Sequence, residues 1–196
     1  TIVDTLIKPI NSETVVMNAR EAFPFQEPAY KDITSASYDG RYDNVDIAKA
    51  KQLVEQSGIS TPITVRLGYK AGNQRRQETV SAIASSCREA GFYVKDSSSD
   101  KFFEKEMKDG DYDVALFAWS GSGQIASGEN IQVTGKPQNY GKYSNPVVDE
   151  AWDKVTNTLD RGEQVEQLKV IEKQAWDTLF NIPLYAHPGV TAWKNK

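Results

Sequence analysis

The chain has 196 residues, 39% hydrophobic and 26% charged, and its 27 acidic against 23 basic side chains give a formal net charge of −4. That length buries a sizeable core without covalent staples, and the single cysteine, Cys87, excludes an internal disulfide. The charges are interspersed, with no basic stripe for a nucleic-acid face, and no apolar run approaches the roughly 20 residues that span a bilayer.

The opening Thr1-Ile2-Val3 has neither an initiator Met nor a signal peptide, and we expect a piece of a longer polypeptide. Residues 1–42 are broken by Pro9, Pro24 and Pro28, with a short strand at Val15–Met17 and Phe23, Phe25 and Tyr30 between the breakers. They read as an extended strap packed on the body, or as a strap that joins this domain to another. Residues 43–196 read as a single α/β lobe. Asp43 is the expected cap of a first helix, with Asp46 in its first turn, Ile47, Ala50 and Val54 at helical spacing, and Gly58 to end it. The β-prone run ITVRLGY predicts a strand over 61–69. Asn73 caps the next helix, whose Val80, Ile83, Ala84 and Cys87 recur on one face, and Gly91 closes it.

A second strand is expected from Phe92 to Val94, then a short helix over 101–108 with Phe102, Phe103 and Met107 inward. From Val114 to Trp119 every side chain is apolar, which predicts an interior strand covered on both faces. Strands alternating with helices over short links imply right-handed crossovers and a mainly parallel sheet flanked by helices. Ser120 to Lys142 is a polar loop of the length usually kept for function. Asn145-Pro146 starts a helix striped by Val148, Trp152, Val155 and Leu159; a longer helix over 162–180 carries Leu168, Ile171, Ala175 and Leu179. A last strand, IPLYAHPGVTAW, is interrupted at Pro188-Gly189.

Few residues carry chemistry. His187 is the only histidine and has no partners at ligand spacing, so no metal site is expected; Cys87 lies on an apolar helix face and reads as core. The SGSG at 120–123 lacks the Lys and following helix of a phosphate loop. Asp111 and Asp113 sit at the wrong end of their strand for a carboxylate pair in a cleft. Ligands of open α/β sheets gather beyond the carboxyl ends of the strands, where Trp119 falls, either as core filler or as an indole platform. Ser120, Gly121 and Ser122 follow it, and Asn139 and Tyr140 return over the same edge.

The ordered set VDIAKAKQLVEQSGI, a helix closing in Arg-Glu-Ala-Gly, GDYDVALFAWSGS, YSNPVVDEAWDKV and IPLYAHPGV, over about residues 43–190, resembles the C-terminal lobe of the solute-binding proteins of ABC importers, in the dipeptide/oligopeptide branch known as family 5. The resemblance implies a periplasmic-binding-protein type II-like lobe, with the N-terminal lobe absent. It implies a bacterial, extracytoplasmic, lipid-anchored protein that captures a small solute such as an oligopeptide and delivers it to a membrane permease. No catalysis, cofactor or nucleic-acid partner follows from it, and a monomer is expected. By the same resemblance Trp119 lies against the ligand; Ser120, Gly121, Ser122, Asn139 and Tyr140 are expected to add contacts from their own place at that edge. Peptide binders of the family commonly place an aspartate three residues after this tryptophan to hold the free amino group; Ser122 stands there in this chain. Two rival readings differ in kind. A flavodoxin- or receiver-like signalling domain needs an aspartate where Trp119 stands, and a hydrolase would use loop acids such as Glu129.

Overall fold

A computed structural model describes residues 2–9, 12, 14–22, 28–120, 128–186 and 193–194. In chain order it contains a π-helical turn (Val3–Ile7), β1 (Val15–Val16), α1 (Ala29–Ser37), α2 (Ile47–Gln56), β2 (Ile63–Lys70), α3 (Gln74–Arg88), β3 (Phe92–Ser99), α4 (Glu106–Asp109), β4 (Val114–Ala115), α5 (Glu129–Gln132), α6 (Pro146–Asn157), α7 (Arg161–Thr178) and β5 (Tyr185–Ala186). The chain divides into two compact units: Thr1–Asp39 with Ile125–Glu129 and Asn145–Lys196, and Gly40–Gln124 with Asn130–Ser144.

The second unit is the α/β one. The cap of α2 is Asp46 and not Asp43, its carboxylate accepting the Lys49 N–H at 2.8 Å, because Asp46 is the residue immediately before the apolar helical stripe. Asn73 caps α3 by accepting the Arg76 N–H at 3.1 Å. Between these helices the β-branched and aromatic run 63–70 forms β2, with β3 and β4 parallel on either side in the order β3-β2-β4. Ile63 faces Phe92 and Lys70 faces Ser99 along one edge; Leu67 faces Val114 and Gly68 faces Ala115 along the other. The core gathers Leu67, Tyr69 and Val80, with Ile83, Val94 and Leu116 packed on it.

The central strand is therefore β2, and the expected interior strand over 114–119 is corrected to a two-residue edge strand. Val114 is 48% exposed, and among the described residues β4 pairs with β2 alone. An apolar run reports how its faces are dressed but not how many of its edges are hydrogen-bonded, and that separates edge from centre. Backbone bonds extend the pairing slightly, from Asp113 N–H to Arg66 O (3.0 Å) and from Leu116 N–H to Gly68 O (2.9 Å). The Arg66 guanidinium grips Asp111 (2.5 Å) and Asp113 (3.0 Å), so these two carboxylates fasten the strand start. The hydrogen bond from Arg66 also holds the Asp113 carboxyl below the usual range.

The first unit is mainly helical. Asn145 caps α6 by accepting the Val147 N–H at 3.0 Å, with Pro146 in the first turn, where no donor is lost. Val148, Trp152 and Val155 of α6 and Leu168 and Ile171 of α7 are fully buried, as is Ile33 of α1. Trp176 meets Tyr38 with ring centroids 4.8 Å apart. Two stripe assignments are corrected: Leu159 lies beyond the end of α6 and Leu179 is the left-handed cap of α7 (φ +52°), so both have left the helical face and are exposed. Val15 pairs with Ala186 and Val16 with Tyr185 in an antiparallel ribbon. Residues 1–42 are thus not simply extended, since α1 packs on α7.

Candidate ligand-binding site

The site is built at the carboxyl ends of the three parallel strands of the second unit. After β2 the chain enters α3 and presents Arg76 in its first turn; after β3 it presents Phe102 and Phe103; after β4 it presents Phe117 and Trp119. Phe102 is fully buried and meets Phe103 at 5.6 Å and Tyr112 at 5.8 Å, both edge-on. The row continues edge to face from Phe103 to Phe117 (6.4 Å) and from Phe117 to Trp119 (5.3 Å). It ends where Trp119 lies parallel to Tyr140, with centroids 6.4 Å apart and planes 6° from coplanar. Trp119 is 38% exposed, so one part of the indole is packed and the rest is open.

Tyr140 is held there by its loop. The Tyr112 hydroxyl donates to the Tyr140 carbonyl at 3.3 Å. Asn139, buried beneath, donates from Nδ2 to the carbonyls of Val133 (3.1 Å) and Tyr143 (2.7 Å) and accepts the Tyr143 N–H at 2.9 Å. Both of its donors are spent inside the loop, so Asn139 props Tyr140 and has no N–H left for a ligand. Ser120 is exposed next to Trp119, whereas Gly121, Ser122 and His187 lie outside the described residues.

Two members of this surface are absent from the sequence-based set. Phe103 is half-exposed, and the Arg76 guanidinium lies 5.8 Å from its ring centroid. Their signal is positional: like Trp119, each follows the carboxyl end of a parallel strand, and assigning Phe103 to the inner face of a short helix concealed it. Elsewhere, burial pushes the Cys87 thiol up, away from the thiolate a nucleophile needs. Among the described residues no cluster of three His, Cys, Asp or Glu could hold a metal ion, and no helix is long and apolar enough to cross a membrane.

Residues 10–140 match the family described as bacterial extracellular solute-binding proteins, family 5 Middle. The chain belongs to this family. A curated relative, an uncharacterized lipoprotein of Mycobacterium tuberculosis, is 29% identical over 168 residues, 83% of this chain and 29% of its own length. The oligopeptide-binding protein OppA of the same organism is 28% identical over 96 residues, 48% of this chain and 16% of that protein. The chain thus spans less than a third of the curated relatives it matches. Among solved structures, Haemophilus influenzae OppA in complex with the peptide RPPGFSPFR superposes with a TM-score of 0.77 at 19% identity, covering 95% of this chain and 36% of that one. The fold is that of the type II periplasmic binding proteins, as the resemblance implied, and the receiver-like alternative falls away.

Proposed function

We propose that this family 5 chain forms one wall of a ligand cleft in a solute-binding protein that captures an oligopeptide, or a solute of similar size, and hands it to the permease of an ABC importer. The protein works outside the cytoplasmic membrane, lipid-anchored, as a monomer and without catalysis. One observation supports this reading above the others: a partly open indole, parallel to a second aromatic ring, stands at the strand ends where α/β sheets receive ligands. Trp119 and Tyr140 serve as the platform for apolar or planar ligand parts, and Ser120, Gly121 and Ser122 supply small polar contacts. Asn139 acts through Tyr140. Arg76 beside Phe103 offers positive charge to an acidic group of the ligand.

The test is titration of the full-length parent with defined oligopeptides, followed by tryptophan fluorescence. Saturable quenching is expected, and Trp119→Ala should blunt it and raise Kd about tenfold or more, the loss of a single well-packed aromatic contact. A full-strength response in the variant removes Trp119 from the site, and a silent wild type removes the peptide class.

A further inference from the structure

The first unit buries a charged cluster that ligand capture does not use. Glu172, in the middle of α7, is 1% exposed. Its Oε1 accepts the backbone N–H groups of Arg20 (2.6 Å) and Glu21 (2.5 Å), more than 150 positions away in sequence, and its Oε2 has no hydrogen-bond partner among the described residues. Glu21 is buried too; its carboxylate pairs with Arg20 Nη1 and lies so close to Gly128 that a Cβ there would overlap it. The Arg20 guanidinium is thus paired with Glu21 and reaches Glu172 only as a nearby charge, while Glu172 Oε2 has no hydrogen-bond partner among the described residues.

A buried ion without full compensation neutralises in preference to bearing its desolvation cost. Arg20 and Glu21 are the charged groups that face Glu172 from the segment after β1. Of the cations on these helices, Lys169 pairs with Glu166 and with Asp32 of α1, Lys173 with Asp177, and Lys154 of α6 with Glu150. We propose that Glu172 is a proton-operated clasp: neutral, it holds the Arg20–Glu21 turn on α7 and so seats Gly128 against Glu21, and ionised, it loosens that turn. Burial pushes the Glu172 carboxyl up to about 7, against the smaller opposing pull of the Arg20 N–H and guanidinium, and desolvation lowers Arg20 to about 10. A carboxyl raised in the folded state stabilises fully below its unfolded pKa and loses that contribution as pH rises to its folded value, so the clasp weakens from the ordinary carboxyl range up to about pH 7 and levels off above it.

Hydrogen–deuterium exchange of the full-length parent and of its Glu172→Gln variant, at matched pH, tests this. Glutamine keeps the Oε1 acceptor and cannot ionise, and comparison at one pH cancels the chemistry of exchange itself. The ratio of wild-type to variant exchange over residues 18–22 and 128–129 should rise about tenfold from about pH 6 to about pH 8. A ratio that stays flat with pH overturns the proposal. Should the variant fail to fold, 13C NMR of wild-type protein labelled at the glutamate carboxyls decides: a buried carboxyl titrating near neutrality is expected, and none titrating above the ordinary range overturns it. Neither readout involves a ligand, so failure here is distinct from failure of the capture function.

Discussion

Gly68→Ala should destabilise the second unit. Gly68 sits in the middle of β2, opposite Ser97 on one side and Ala115 on the other. A Cβ there would overlap Cε2 of Phe102 and lie 3.0 Å from its Cζ and 3.3 Å from its Cδ2. Phe102 is fully buried and braced edge-on by Phe103 and Tyr112, so its ring has nowhere to retreat. Overpacking a close-packed site costs about 1–3 kcal/mol. Phe102→Ala, which removes the ring and leaves a cavity, should cost about 3–5 kcal/mol. The two losses cannot add, because once the ring is gone the extra methyl fills space and no longer collides. Urea denaturation of wild type, both single variants and the double variant, read by the fluorescence of Trp119, the only tryptophan of this unit, measures the coupling. The double variant should be as stable as Phe102→Ala alone or more so. Additive losses would refute the claim that Gly68 is there to admit the ring.

Other expectations follow from the same geometry. Trp152→Ala, in the fully buried face of α6, should cost about 3–5 kcal/mol by urea unfolding of the first unit. Asn145→Ala removes both the α6 cap and the bond from Nδ2 to Gln174 Oε1 (3.0 Å), and should cost about 1–2 kcal/mol in the same assay. Asp113, held below the usual carboxylate range by Arg66, contributes stability above its unfolded pKa and loses it as pH falls through its lower folded value. Asp113→Asn should flatten the acid limb of the stability profile, an effect kept small by the pair's exposure and reduced further by salt.

The sequence was most readable where one local signal decides the outcome. Asn73 and Asn145 announced the starts of α3 and α6, and Gly58 and Gly91 take the positive φ values their helix endings require (+68° and +95°). The parallel order of strands followed from their alternation with helices. What escaped depended on partners distant along the chain. Apolar composition made 114–119 look central, yet β2 holds the centre because it has neighbours on both edges. Leu159 and Leu179 kept a helical spacing past the point where the backbone had left the helix. Asn139 had the chemistry of a ligand contact and spends it on its own loop. Trp119 lies beyond a strand that already ends at Ala115, and its companions Phe103 and Arg76 emerge only once three loops meet. Glu172 offered no signal at all, being one acid in a charged helix until the fold buries it.

Whether Trp119 touches ligand is settled by the indole N–H resonances of the tryptophans in the full-length parent, with the Trp119 signal assigned through Trp119→Phe. On addition of a bound oligopeptide the Trp119 resonance should move in saturable fashion, while those of Trp152 and Trp176, buried in the helical unit, stay in place. A peptide that binds and leaves the Trp119 resonance untouched would contradict the placement of the ligand wall at the strand ends of the α/β unit.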